Sequence, residues 1–174
     1  MAEITLILGG ARSGKSSLAL RRCAPYPAPR IYLATAEALD PEMAERIRRH
    51  QAERGPDWRT VEEPLDPAGR LRGLKTEDAS IVLLDCLTLW LSNLLAGRGA
   101  TVDEAALQTQ DLAQAAQAAP CPIVIVSNEV GLGLVPENKL ARDFRDAAGL
   151  AHQILAARAA EVLFVAAGLA LRLK

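Results

Sequence analysis

Aromatic residues are scarce in this chain of 174 residues: two each of Trp, Tyr and Phe, 3% in all, against a hydrophobic share of 50%. The core must therefore be aliphatic, as in parallel sheets covered by helices. The stacking platforms that hold single-stranded nucleic acid are missing, lysine-rich blocks are missing too, and the formal net charge is -1. Nucleic acid is not expected as a partner. The only cysteines, Cys23, Cys86 and Cys121, are scattered and show no C-x-x-C spacing, which argues against a disulfide framework and against a zinc site. A reducing, cytoplasmic compartment is the expectation. No apolar run approaches membrane-spanning length, and the N-terminus has no basic region followed by a signal core, so membrane insertion is not expected. The length suits one α/β domain over residues 1–174.

The strongest chemical signal is Gly9-Gly10-Ala11-Arg12-Ser13-Gly14-Lys15-Ser16, directly behind the apolar run Ile4 to Leu8. It has the form of a P-loop. Gly9 and Gly14 are read as letting the backbone turn so that successive N–H groups point inward; Lys15 then reaches the β- and γ-phosphates and the Ser16 hydroxyl ligates magnesium. The stretch Ser16 to Arg22 reads as the helix whose positive end faces the phosphates. A plain glycine turn between strand and helix requires neither the Lys-Ser pair nor the spacing.

After that helix, Pro25-Tyr26-Pro27-Ala28-Pro29 forces an extended crossing to a second strand, Arg30 to Ala34. Asp40-Pro41-Glu42 then opens a helix running to about Arg54, with Met43, Ile47 and His50 on one face. Trp58 to Glu62 is extended, and a polar connection to Glu77 holds one short helix around Ala68 to Leu74. Ile81 to Asp85 is a buried strand ending in an acid, the pattern of a Walker B aspartate that positions magnesium; the competing reading is that Asp85 caps the helix Leu87 to Leu95. A covering helix follows from Asp103 to about Ala118, and Ile123 to Val126 forms a further buried strand leading into Ser127-Asn128-Glu129. Beyond the apolar loop Gly131 to Pro136, a long helix from Asn138 to about Ala160 buries Leu140, Phe144, Ala147, Ala151, Ile154 and Leu155, with His152 as a structural neighbour. Two short strands around Gly168 close the chain. This alternation predicts a doubly wound, mostly parallel sheet with its site at the carboxyl edge of the strands.

The P-loop and Asp85 imply a nucleoside triphosphate and Mg2+ without saying which group is transferred. A guanine-specific switch is disfavoured, because Asn138-Lys139-Leu140-Ala141 lacks the aspartate that reads the base and opens a helix.

Five segments together extend the reading: Gly9 to Ser16; Tyr32-Leu33-Ala34-Thr35-Ala36; Glu42-Met43 with Arg46-Ile47 and His50; Trp58 to Glu62; and Asn128-Glu129-Val130-Gly131 with Val135-Pro136-Glu137-Asn138. In this order, over nearly the whole chain, the sequence resembles the bifunctional adenosylcobinamide kinase and adenosylcobinamide-phosphate guanylyltransferase family of cobalamin biosynthesis. The resemblance implies a recombinase-like P-loop NTPase fold and two reactions. The first phosphorylates adenosylcobinamide with ATP or GTP; the second attaches GMP from GTP to adenosylcobinamide phosphate through a guanylylated histidine. His50, in Arg46-Ile47-Arg48-Arg49-His50, matches that histidine. From its surroundings alone, with no triad to orient it, it reads instead as an inward-facing structural residue. By the same resemblance Thr35, Ala36, Glu37, Arg54, Glu62 and Asp85 line the guanine nucleotide site, and members assemble as homotrimers. Two other functions remain open at this point: an ATP-dependent small-molecule kinase without transferase activity, and a non-enzymatic nucleotide-binding module.

Overall fold

The computed structural model describes residues 1–36, 45 and 54–174. Apart from Glu45 and Arg54, the helix expected from Asp40 to Arg54, with His50, lies outside the described residues, as does Glu37. Among these residues the strands are β1 (Ile4–Gly9), β2 (Arg30–Ala34), β3 (Trp58–Glu62), β4 (Val82–Asp85), β5 (Ile123–Asn128), β6 (Glu161–Ala166) and β7 (Leu169–Arg172). They form one sheet in the order β3-β2-β4-β5-β1-β6-β7. Every neighbouring pair is parallel except β6 with β7. The doubly wound, mostly parallel expectation is met.

The helices are α1 (Lys15–Cys23), α2 (Pro67–Arg72), α3 (Leu87–Ser92), α4 (Val102–Ala118) and α5 (Lys139–Arg158). Their starts follow from local chemistry. Asp66 caps α2 by accepting from the Gly69 N–H, with Pro67 in the first turn. Thr101 and Glu104 close a capping box on α4. Asn138 caps α5 by accepting from the Ala141 N–H. Thus the Asn138-Lys139 dipeptide is committed to starting a helix, as its sequence context implied. The helix expected over Leu87 to Leu95 is α-helical only to Ser92 and continues as a π-helical turn, Asn93–Gly97.

Alternate residues of the strands feed two aliphatic cores. On one face Ile7, Tyr32, Leu83, Val124, Val126 and Val165 pack with Ala19 and Cys23 of α1. On the other, Leu6, Leu33, Leu84, Ile123 and Ile125 pack with residues of α2 to α5, including Leu71, Leu91, Leu112 and Leu155. Leu140 departs from the expected buried stripe of α5: it is 51% exposed, because the first turn of that helix precedes its contact with the sheet, and burial begins at Ala147 and Ala148. All three cysteines are free and buried. Among the described residues, no helix is long and apolar enough to cross a membrane.

Candidate active site

The carboxyl ends of β1, β4 and β5 come together because β5 lies between the other two. Gly9 ends β1 opposite Asn128, and Asp85 ends β4 opposite Val126. The loop Gly10 to Gly14 turns from β1 into α1 with positive φ at Arg12 (55°) and Gly14 (95°). The sequence reading attributed the turn to both flanking glycines. Gly9 instead has ordinary dihedrals and is required by close packing: a Cβ there would stand 2.6 Å from the Val165 carbonyl oxygen and 2.6 Å from Ser13 Oγ. The tip of the β6–β7 hairpin braces the loop from the side. Ala167 and Gly168 both have positive φ, the requirement of a tight two-residue hairpin turn, and the Gly168 N–H donates to the Ser13 carbonyl at 2.8 Å.

Within the loop, Lys15 is only 8% exposed and its Nζ donates to the Gly10 carbonyl at 3.0 Å. The ammonium is thereby folded over the concave side of the turn at the positive end of α1, where an anion is favoured. Ser13 is 8% exposed and its Oγ has no hydrogen-bond partner among the described residues. An unmet hydroxyl inside a phosphate-binding turn is a group that a ligand would satisfy. Ala11 and Arg12 are exposed at the rim, and Ser16 is half-buried at the first turn of α1.

Asp85 does not cap α3. The cap residue is Cys86, with no side-chain cap bond, and Asp85 Oδ2 instead accepts from the Tyr32 hydroxyl at 2.9 Å. This removes the structural alternative raised by the sequence. A half-buried carboxylate and a serine hydroxyl are the hard oxygen donors that magnesium takes, and an ion that keeps several waters and leans on substrate phosphates requires only one or two such groups. The donor set fits. Among the described residues there is no cluster of three or more His, Cys, Asp or Glu that could hold a metal.

The remaining predicted site residues fall around the β2 end of the same edge. Thr35 is fully buried, and its hydroxyl donates to the Cys86 carbonyl at 2.7 Å while accepting from the Cys86 N–H at 2.9 Å. Both roles of that hydroxyl are engaged within the protein. The Thr35 carbonyl in turn accepts from Asn93 Nδ2 at 2.9 Å. Ala36 is half-buried beside it, and Glu62 is exposed at the end of β3. Arg54 lies with its guanidinium carbon 3.5 Å from the Tyr32 ring centroid and donates to Thr60 Oγ1 at 3.2 Å.

Several groups at this edge were absent from the sequence-derived site. Asn128 Nδ2 donates to Thr88 Oγ1 at 2.8 Å, joining the end of β5 to the first turn of α3. Burial, then the Asp85 charge, push the Cys86 thiol up to about 11, so it stays protonated. His152 on α5 sits 2.8 Å from Ser127 Oγ through Nε2, and 3.4 Å from Glu129 Oε2 through Nδ1. Ser127 is wholly buried, so this arrangement ties α5 to β5 and leaves no exposed nucleophile; the structural reading of His152 agrees with it. The signal available in the sequence was position alone, since Ser127, Asn128 and Glu129 end a parallel strand.

Similarity to known proteins covers nearly all of the chain. A solved structure of the VirB11 ATPase from the Brucella suis type IV secretion system superposes with a TM-score of 0.43 at 15% identity, covering 94% of this chain and 43% of that one; this overlap is too loose to build on. The bifunctional adenosylcobalamin biosynthesis protein CobP of Pseudomonas aeruginosa is 47% identical over 97% of this chain and 96% of its own length. The CobU proteins of Salmonella typhimurium and Escherichia coli, described in the same words, are 42% and 41% identical over 97% of this chain and 98% of theirs. Residues 5–173 match the profile of cobinamide kinase / cobinamide phosphate guanyltransferase, and the chain belongs to that family.

Proposed function

We propose that both activities of the family reside in this chain: phosphorylation of adenosylcobinamide by ATP or GTP, then transfer of GMP from GTP to adenosylcobinamide phosphate, giving adenosylcobinamide-GDP. The observation that carries the nucleotide half is Lys15, buried and folded over the P-loop. Phosphoryl transfer is chiefly positioning and charge neutralisation. The loop N–H groups and the α1 terminus would bind the phosphates, and Lys15 would move from the Gly10 carbonyl to the β- and γ-oxygens. Ser16 and Asp85 would hold Mg2+, which supplies charge neutralisation to the phosphates when bound.

For the second reaction we assign His50 as nucleophile. A neutral imidazole nitrogen attacks the α-phosphorus of GTP; the bond to the bridging oxygen breaks and pyrophosphate leaves. The phosphate oxygen of adenosylcobinamide phosphate then attacks the same phosphorus, the P–N bond breaks, and the imidazole is regenerated. The support for His50 is the Arg46-Ile47-x-x-His50 pattern. Arg54, held over Tyr32, is the described cation nearest to it in sequence and is assigned to the guanine nucleotide together with Thr35, Ala36, Glu37 and Glu62. We further assign the protein to the cytoplasm as a homotrimer. Leu132, Leu134 and Val135, exposed in the Gly131 to Pro136 loop, suit either a subunit contact or a wall for the corrinoid.

The test is incubation with Mg2+ and GTP labelled at the α-phosphate, followed by denaturation and electrophoresis. Acid-labile label on wild type and His152→Gln, absent from His50→Ala, is the expected result. Folded wild type that binds GTP without labelling would overturn the transferase. Nucleotide consumption dependent on cobinamide would then identify a plain kinase, and its absence a binding module.

A further inference from the structure

Tyr32 touches two of the groups assigned to the nucleotide, one with each end of its side chain. It is register-paired with Leu83 across the β2–β4 ladder, so its ring lies on the same face as Asp85, two residues further along β4. This is also the face covered by α1. Its hydroxyl donates to Asp85 Oδ2 at 2.9 Å, and no other hydrogen bond to the Asp85 carboxylate is formed among the described residues. Its ring carries the Arg54 guanidinium at 3.5 Å. Trp58 meets the same ring edge-on, with centroids 6.3 Å apart and planes at 81°, and Arg30 lies 5.7 Å over Trp58. The residue is only 6% exposed, so its rotamer is set by packing and both contacts are held in place.

We propose that Tyr32 is a positioning residue shared by the two parts of the nucleotide site: its hydroxyl fixes one oxygen of Asp85 and leaves the other for the metal–phosphate group, while its ring face seats Arg54. The inference rests on the assignment of Asp85 to Mg2+. Without the hydroxyl the carboxylate has two equivalent oxygens and a freer rotamer, and metal-dependent binding weakens. Without the ring the guanidinium loses its seat, and the part of nucleotide affinity that is independent of metal weakens.

The experiment is titration of the full chain with N-methylanthraniloyl-GDP, in Mg2+ and in EDTA, for wild type, Tyr32→Phe, Asp85→Asn, Arg54→Met and Tyr32→Leu, with a thermal melt on each. The ratio of the two dissociation constants isolates the metal-dependent part. Tyr32→Phe keeps the ring and should lower this ratio by roughly three- to tenfold with the EDTA value unchanged, since a hydrogen bond to a charged group is lost. Tyr32→Leu should in addition weaken binding in EDTA by the same factor as Arg54→Met, and the double variant by no more than either. A wild-type ratio in Tyr32→Phe while Asp85→Asn loses it would overturn the positioning role and leave the Asp85 assignment standing. A wild-type ratio in Asp85→Asn would overturn both. If Tyr32→Leu does not fold, Arg54→Met decides the ring contact: unchanged binding in EDTA would refute it.

Discussion

Two adjacent glycines of the P-loop should respond very differently to the same added methyl group. A Cβ on Gly9 would lie 2.6 Å from the Val165 carbonyl oxygen, which belongs to the neighbouring strand and cannot turn aside. The second clash, with Ser13 Oγ at 2.6 Å, is with a side chain that can rotate, so the backbone contact decides the outcome. Relief requires β1 and β6 to separate at the point where Gly9 is paired with Val165. Overpacking of this kind costs about 1–3 kcal/mol. For a chain of this size a loss of ~2 kcal/mol lowers the thermal midpoint by about 4–8 °C. A Cβ on Gly10 meets nothing within 4 Å, and Gly10 is not among the residues with positive φ, so Gly10→Ala should leave the midpoint unchanged or slightly raised. Thermal melts of Gly9→Ala, Gly10→Ala and wild type in one buffer provide the comparison. A Gly9→Ala midpoint within about 1 °C of wild type, well inside the range expected for a neutral surface change, would refute the close-packing account.

Other perturbations separate the remaining parts of the molecule. Lys15→Ala should reduce adenosylcobinamide phosphorylation by roughly two orders of magnitude or more with an unshifted melting midpoint; wild-type turnover would sink the P-loop assignment. Burial holds His152 below its ordinary value of 6.5 despite the opposing pull of Glu129. The unfolded chain therefore binds more protons than the folded one as pH falls through 6.5, and stability is lost on acidification. Melts at about pH 7.5 and about pH 5.5 should show a larger drop for wild type than for His152→Gln; equal drops would show that His152 does not carry the dependence. Thr101→Ala removes the capping box of α4 and should lower stability by about 1 kcal/mol, read as a shift in the urea midpoint without a change in slope.

Legibility varied with how local the cause was. The P-loop, the start of a helix at Asn138 and the aliphatic strands depend on neighbours within a few residues, and each was readable. The end of the buried stripe on α5 was less so: helical periodicity puts Leu140 in line with Ala147 and Ala151, but only the point at which α5 reaches the sheet decides that Leu140 is exposed. Asp85 was ambiguous for the same reason, since a strand-terminal acid before a helix suits both capping and metal binding. The hydroxyl of Tyr32, 53 residues away in sequence, removed the capping reading.

By itself the sequence determined the family, the strand and helix alternation, and the chemical identity of the phosphate cradle, because each is encoded in short patterns whose spacing reflects backbone geometry. The tertiary structure alone decided that β5 stands between the P-loop strand and the Asp85 strand, that Gly9 answers to Val165, and that Tyr32 joins Asp85 to Arg54. Those contacts connect residues brought together only when parallel strands pair across long crossovers, and no local pattern records which strand will be the neighbour.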